Sequence, residues 1–381
     1  MQIAVDAHAI GQRLTGNEVY VRSLLEEYAR LEQDIEFLTY ISVSAAEDQI
    51  PRGFRRRYVS RNPFVRLGMQ LSAKLREDQP DLVHVQYTAP LSCPVPIVAT
   101  VHDVSFIEHP EYFPALRAAQ LRLSTRHTLK RAAKVITISE FSRRCISTAF
   151  DLDLDDIAVT PLAAQDRFQP MNRAKAIRKV SERLGIRQPF LLNVGDLHPR
   201  KNQIGLIRAF KELVTTYPRL PHVLVLAGKR AWFAPRVIEE AKRSGLGERI
   251  IMTGFVNDEL LPALYNAADL FVFPSFYEGF GLPAIEAMAC GRPVACSNAT
   301  ALPEVVDGAA VLFDPASVGD QMRAMRDILL DQEFSRRQGK KSLQRAACFG
   351  WEETARKTLD VYYSVTHQHP SFERRKELVA P

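Results

Sequence analysis

No run of apolar residues in this 381-residue chain approaches the roughly 20 needed to cross a bilayer, which excludes a long hydrophobic spanning helix. None of its five cysteines forms a CxxC pair. Cys93, Cys145, Cys290, Cys296 and Cys348 are scattered, so they read as small core hydrophobes and neither as a disulfide framework nor as a metal site. Heptads, low-complexity tracts and short-period repeats are missing, as are nucleic-acid-binding motifs. No signal-peptide pattern precedes the opening "MQIAVDA", and the expected location is therefore cytoplasmic.

What is present is an alternation. Short apolar, β-branched runs separate longer amphipathic ones: "MQIAVDA", "IEFLTYIS", "FRRRYVS", "DLVHVQY", "PIVATVHD", "KVITIS" and "IAVTPLA", then "FLLNVGD", "HVLVLAGK", "RIIMTGFV", "DLFVFPS", "RPVACSN" and "AAVLFDP". Near-continuous apolar strands between helices signal parallel sheets covered on both faces. Two such sets predict an α/β protein of two Rossmann-like, doubly wound parallel-sheet domains facing a cleft, since open α/β sheets bind ligands beyond the carboxyl ends of their strands. The strand pattern lapses over residues 165–189, which places the domains at 1–170 and 171–350. A helix over 351–368 is expected to pack back onto the first domain, and the final "SFERRKELVAP" to be poorly tied down.

One stretch carries chemistry. In "SFYEGFGLPAIEAMACGRPVACSN" (275–298) a buried strand leads into Gly279 and Gly281, then into Leu282-Pro283 and an apolar helix. Pro283 suits a first helical turn, and a helix beginning there presents unpaired amides and a partial positive charge, a site for an anion. Glu278 and Glu286 flank that site, Glu286 about 4.5 Å along the axis from Pro283 at roughly 1.5 Å per residue. Carboxylates do not bind an anion, but they accept hydroxyls on either side of one. A nucleotide sugar has that form. The plain alternative is two solvated charges around an ordinary strand-to-helix turn.

The residues around this stretch resemble a known family, the retaining glycosyltransferases of family 4 (glycosyl transferases group 1), which have the two-domain GT-B fold. The resemblance rests on "EGFGLPAIE" (278–286), "VGDLHPRKN" (194–202), "VLAGK" (225–229), "ITISEFSR" (136–143) and "TGNEVYVRSLL" (15–25), in that family's order and over nearly the whole chain. It implies an acceptor-binding first domain and a nucleotide-sugar-binding second one. By resemblance, Glu286 receives the ribose hydroxyls and Glu278 faces the donor sugar. Phe280, Gly281 and Leu282 hold the diphosphate through their amides, Lys201 binds phosphate, and Gly195 and Lys229 line the donor site. Asp196 stands where the family often has arginine, and Arg200 is a substitute for it. In the first domain, Gly16 resembles the glycine that lets a loop approach the donor phosphate. His102 resembles a histidine near the reacting sugar, and Asn17 and Asp103 are acceptor-binding candidates.

Retention could arise by double displacement through a carboxylate or by attack from the face the diphosphate leaves; the sequence leaves both open. "DLDLDD" (151–156) contains Asp-x-Asp but reads as a solvated loop far from the donor motifs. No cofactor and no metal are expected, because Arg200 and Lys201 can supply the charge a metal would. Residues 51–150 carry 16 Lys/Arg against 7 Asp/Glu. That excess collects at 52–76 and 117–131, interleaved with apolar side chains, which makes an anionic membrane surface the expected partner ahead of nucleic acid. The functional expectation is transfer of a hexose, mannose ahead of others, from a nucleotide diphosphate sugar to a glycan or lipid-linked acceptor in cell-surface polysaccharide synthesis. A nucleotide-sugar 2-epimerase of the same architecture and a non-catalytic sugar-nucleotide-binding subunit are the alternatives.

Overall fold

The structure, a computed structural model, describes residues 1–12, 15–31 and 34–367. The last residues, 371–381, whose anchoring was in question, lie outside the described residues. The chain forms two compact units: residues 1–162 with the helix Trp351–His367, and residues 163–350. The division falls before 170/171 because the polar stretch after Leu162 is tied to the second unit. Asn266 donates to the Gln169 carbonyl at 3.0 Å and accepts from the Met171 amide at 2.9 Å, while Phe168 meets the Tyr265 ring edge-on.

The first unit is built on seven strands: β1 (Gln2–Asp6), β2 (Glu36–Ile41), β3 (Arg55–Tyr58), β4 (Leu82–Gln86), β5 (Ile97–Thr100), β6 (Ala132–Thr137) and β7 (Ile157–Val159). They lie parallel in the order β3-β2-β1-β4-β5-β6-β7. The second unit has six: β8 (Phe190–Val194), β9 (Val223–Ala227), β10 (Ile250–Gly254), β11 (Leu270–Phe273), β12 (Val294–Ser297) and β13 (Val311–Phe313), parallel in the order β10-β9-β8-β11-β12-β13. Central strands such as "LVHVQ" and "LFVF" are buried along their whole length because helices cover both faces. The edge strand β3, "RRRY", departs from this rule. Its arginines face solvent and blunt an edge that would otherwise pair with another chain.

In each sheet the connections reverse direction once, between β1 and β4 and between β8 and β11. The strands part their loops there and leave a crevice at their carboxyl ends. Of the cysteines, Cys290 and Cys296 are buried and Cys93 and Cys145 half-buried. Cys348 departs from the core reading: it is exposed in the turn after the helix Gln332–Ala346.

The helix Trp351–His367 is fixed in the first unit by a buried polar chain. His84 on β4 bonds the Tyr362 hydroxyl at 2.6 Å and the Thr100 hydroxyl at 2.7 Å. Tyr28 donates to the Tyr362 hydroxyl at 3.1 Å, and Tyr20 shares Thr100 at 2.9 Å. Removing one hydroxyl from such a chain strands its neighbours without water. Tyr362→Phe is therefore expected to cost about 2–6 kcal/mol, two partners at ~1–3 kcal/mol each, in urea unfolding of the first unit. Tyr363→Phe, on the outward side of the same helix, should stay within about 0.5 kcal/mol.

Candidate active site

Two loops at the β8/β11 crevice make the site of the second unit. The first leaves β8 through Gly195, turns at Pro199–Lys201 and enters the helix Gln203–Thr216, capped by Asn202, whose side chain accepts from the Gly205 amide. The second leaves β11 and reaches the helix Leu282–Ala289 through Gly281, at φ +101°. The Phe276 amide donates to the Arg200 carbonyl at 2.7 Å and stitches the loops together. Glycine is obligatory at two points. A Cβ on Gly281 would lie 2.5 Å from a Leu302 methyl, and one on Gly228, at φ +157°, would lie 2.0 Å from the Gly195 carbonyl oxygen.

Across that seam Glu278 accepts from both cations of the first loop. Lys201 Nζ is 2.6 Å from its Oε1 and Arg200 Nη1 2.9 Å from its Oε2. Arg200 also donates to the Tyr277 carbonyl at 2.9 Å, and Lys201 lies over the Phe273 ring. Burial by itself would raise the pKa of Glu278; the charges of Arg200 and Lys201 outweigh it and hold the carboxyl at about 2. Burial pulls Lys201 down and Glu278 opposes the fall. Glu278 is thus ionised throughout the neutral range, one carboxylate facing two basic side chains. The helix Leu282–Ala289 starts at the end of the same loop; Pro283 has no N–H and the Ala284 amide donates to the Gly281 carbonyl at 2.8 Å, which leaves the Leu282 amide as the one its first turn offers to an anion.

Glu286 has the opposite surroundings. It is buried on that helix and accepts one hydrogen bond, from the Tyr265 hydroxyl at 2.8 Å. Burial pushes its pKa up to about 7, with Tyr265 and Arg167 offsetting part of the rise. The structure thus brings together Gly195, Arg200, Lys201, Glu278, Phe280, Gly281, Leu282 and Glu286 in one unit. Lys229 stands at the rim, its amide donating to Asp196 at 3.1 Å and its ammonium over the Phe255 ring. Sequence reasoning passed over Gly228, though the glycine of "VLAGK" was the signal, and over Tyr265, which nothing in its sequence neighbourhood marks.

In the first unit His102 follows β5 and is buried. Its Nε2 is 2.9 Å from Gln86 Oε1, and its ring meets Tyr20 edge-on at 4.8 Å. Burial pulls its pKa down to about 4, so it is neutral at pH 7. Asn17 joins the group through its carbonyl, which accepts from Gln86 at 3.5 Å. Asp103 faces elsewhere: its Oδ1 accepts from the Ser105 amide at 3.0 Å and hydroxyl at 2.6 Å, which caps a turn. Gly16 lies within the first turn of the helix Thr15–Arg30, where a Cβ would meet nothing within 4 Å, and not in the preceding loop. "DLDLDD" is spent on local structure, with Asp151 ending one helix in the left-handed region, Asp153 capping the next turn and Asp156 paired with Lys134.

The basic stretch is partly neutralised. Arg55 pairs with Glu36, Arg57 with Glu77 and Asp78, and Arg66 is buried. Arg52, Arg61, Arg122, Arg126 and Lys130 make no ion pair among the described residues. Near them Phe64, Met69 and Leu116 are 78%, 77% and 85% exposed. The Leu91 amide bonds the Leu67 carbonyl, and Arg131, in the turn after the helix Ala115–Leu129, reaches the Leu91 carbonyl at 2.9 Å, so the segments adjoin there.

Two family models match the chain, "Glycosyltransferase Family 4" over residues 14–164 and "Glycosyl transferases group 1" over residues 176–345. The O-antigen chain mannosyltransferase B of Escherichia coli is 37% identical over 268 residues, 70% of this chain and 69% of that protein. The serotype-specific mannosyltransferase WbdA of Escherichia coli is 31% identical over 301 residues, 74% of this chain but only 36% of WbdA. Among solved structures, Anabaena HepE in complex with UDP and glucose superposes with a TM-score of 0.77 at 20% identity, covering 96% of this chain and 100% of HepE, which shows the shared GT-B fold. The chain belongs to the glycosyltransferases of family 4, the glycosyl transferases group 1, and is a glycosyltransferase.

Proposed function

We propose that the protein is a retaining hexosyltransferase that moves mannose from a nucleotide diphosphate sugar to a glycan or lipid-linked acceptor in cell-surface polysaccharide synthesis. The observation that carries the reading is the Glu278–Arg200–Lys201 cluster, two basic side chains on one buried carboxylate, in the loops that lead to the helix Leu282–Ala289. When the bond from the anomeric carbon to the diphosphate oxygen breaks, the leaving group gains negative charge where basic side chains already stand. The mannose preference is supported by the names of the two Escherichia coli relatives, and a nucleotide donor by the UDP bound in HepE.

Both oxygens of Glu278 are held by cations and its pKa is about 2, which makes it a poor nucleophile. That favours attack from the face of departure, the acceptor oxygen bonding the anomeric carbon while its proton passes to a donor phosphate oxygen. Glu278 then orients Arg200 and Lys201, Glu286 accepts ribose hydroxyls, and His102 hydrogen-bonds the reacting sugar. Asn17 and Asp103 remain acceptor-side candidates, Asp103 through whatever its capping role leaves available. An epimerase would consume a UDP-amino sugar with no acceptor, and an accessory subunit would bind donor without consuming it.

Radiolabelled GDP-mannose, with UDP-, dTDP- and ADP-sugars beside it, should transfer label to a membrane extract with the anomeric configuration kept. Release of epimerised sugar, or binding without turnover, would replace this reading with one of the others. Because ribose hydroxyls need the ionised Glu286, nucleotide affinity should rise about tenfold from pH 6 to pH 8 around a pKa of about 7, and Glu286→Gln should flatten the profile in calorimetry.

Activity is expected to survive exhaustive EDTA treatment, with Arg200 and Lys201 carrying the diphosphate charge; loss restored by Mg²⁺ or Mn²⁺ would show a metal requirement.

The exposed Phe64, Met69 and Leu116, in segments that carry unpaired cations, fit an anionic bilayer, at about 1 kcal/mol per cation near the surface. Co-sedimentation should therefore grow with the phosphatidylglycerol content of vesicles and fall in Phe64→Ser/Met69→Ser. Indifference to lipid charge would remove the membrane from the account.

A further inference from the structure

We propose that Gln86 is a positioning residue that sets the tautomer of His102, keeping the proton on Nε2 and leaving Nδ1 to accept a hydroxyl of bound substrate. The inference rests on the assignment of His102 to the reaction, and its geometry lies wholly within the first unit.

Gln86 is the last residue of β4, buried, and in register with Thr100 at the end of β5, two residues before His102. Its amide stands between two groups. On one side is the Asn17 carbonyl oxygen, which can only accept, 3.5 Å from Gln86 Nε2. The NH₂ must turn toward that carbonyl, since the reverse orientation would set two acceptor oxygens against each other. Gln86 Oε1 then faces His102 Nε2 at 2.9 Å, and because an amide oxygen cannot donate, the imidazole must. A backbone carbonyl at the start of the helix Thr15–Arg30 thereby decides, through one side-chain amide, which ring nitrogen holds the proton.

The ring is also held in place. Tyr20 meets it edge-on at 4.8 Å with an interplanar angle of 85°, and Tyr87 lies 5.7 Å away at 56°. Tyr87 has φ +57°, an unusual conformation for a bulky residue, and this brings its ring beside His102. Ser142 donates to the His102 carbonyl at 3.0 Å and fixes the backbone. Nδ1 has no hydrogen-bond partner among the described residues, so the lone pair is the one polar edge the ring still offers. Burial keeps the imidazole neutral at pH 7, which preserves that lone pair. With the other tautomer the same edge would present a donor, and a hydroxyl poised to donate would lose its acceptor.

The test is a two-bond ¹⁵N–¹H correlation spectrum of the ¹⁵N-histidine-labelled full chain at pH 7, with His102 assigned by its loss in His102→Ala. The wild type should show the Nε2–H pattern. In Gln86→Leu, or in Gln86→Met where Leu does not fold, the Nδ1–H form should become substantial. Turnover should then fall roughly tenfold or more while affinity for the free nucleoside diphosphate is unchanged. An Nδ1–H or doubly protonated wild-type ring overturns the proposal, as does a Gln86 variant that keeps both the wild-type pattern and wild-type turnover. A variant whose tautomer shifts with no loss of rate overturns the positioning role. Full activity in His102→Ala sinks the assignment of His102 to the reaction and this inference with it; the tautomer spectrum separates that outcome from a failure at Gln86 alone.

Discussion

A carboxylate taken out of water between two cations is the constraint around which the second unit is arranged. Burying Glu278 unpaired would cost several kcal/mol, so the fold must deliver Arg200 and Lys201 to it from 78 and 77 residues away in sequence. Delivery requires the loops after β8 and β11 to run side by side, which the strand order provides. It also requires the backbones of Gly195 and Gly228 to approach closely, which is why a Cβ at Gly228 has nowhere to go. Glycine positions and helix start are consequences of one solved electrostatic problem.

Eight residues on, the same side chain meets different physics. Glu286 has a phenol for a partner and, among the described residues, no cation in contact, and its carboxyl is pushed toward neutrality, whereas that of Glu278 is forced to remain ionised. Two glutamates set apart in this way can serve as a permanent charge and as a hydrogen-bonding group that responds near pH 7.

The central strands were legible because a parallel strand covered on both faces has to be a near-continuous apolar run, and the chain writes those runs out, the edge strand β3 excepted. The Glu278–Glu286 element was legible because glycines, a proline and a helix start are local events. What stayed hidden depends on partners far along the chain. Nothing near Glu278 says that both of its oxygens are engaged, nothing near Tyr362 says that His84 awaits it, and Gln86 looks like any strand-ending amide. Asp103 and Asp153 show the reverse case, side chains with suggestive chemistry that local capping occupies. Arg55 and Arg57 in the cluster at 52–76 read as loose charge until Glu36, Glu77 and Asp78 arrive from neighbouring elements. The division at 162/163, ahead of the polar stretch, was not legible, because polarity marks exposure while the hydrogen bonds of Asn266 to that stretch come from far along the chain.

The helix Trp351–His367 belongs to the unit that begins the chain, although the whole second unit is encoded between them. On the ribosome the first 162 residues therefore emerge with His84 and Tyr28 still lacking the Tyr362 hydroxyl, and they wait while residues 163–350 are made, roughly ten to forty seconds at ordinary elongation rates. The inserted unit has all its strands before the unit that preceded it is complete. Of the two units, the one whose strands come earlier in the chain thus closes its buried polar chain only after the strands of the other have been made.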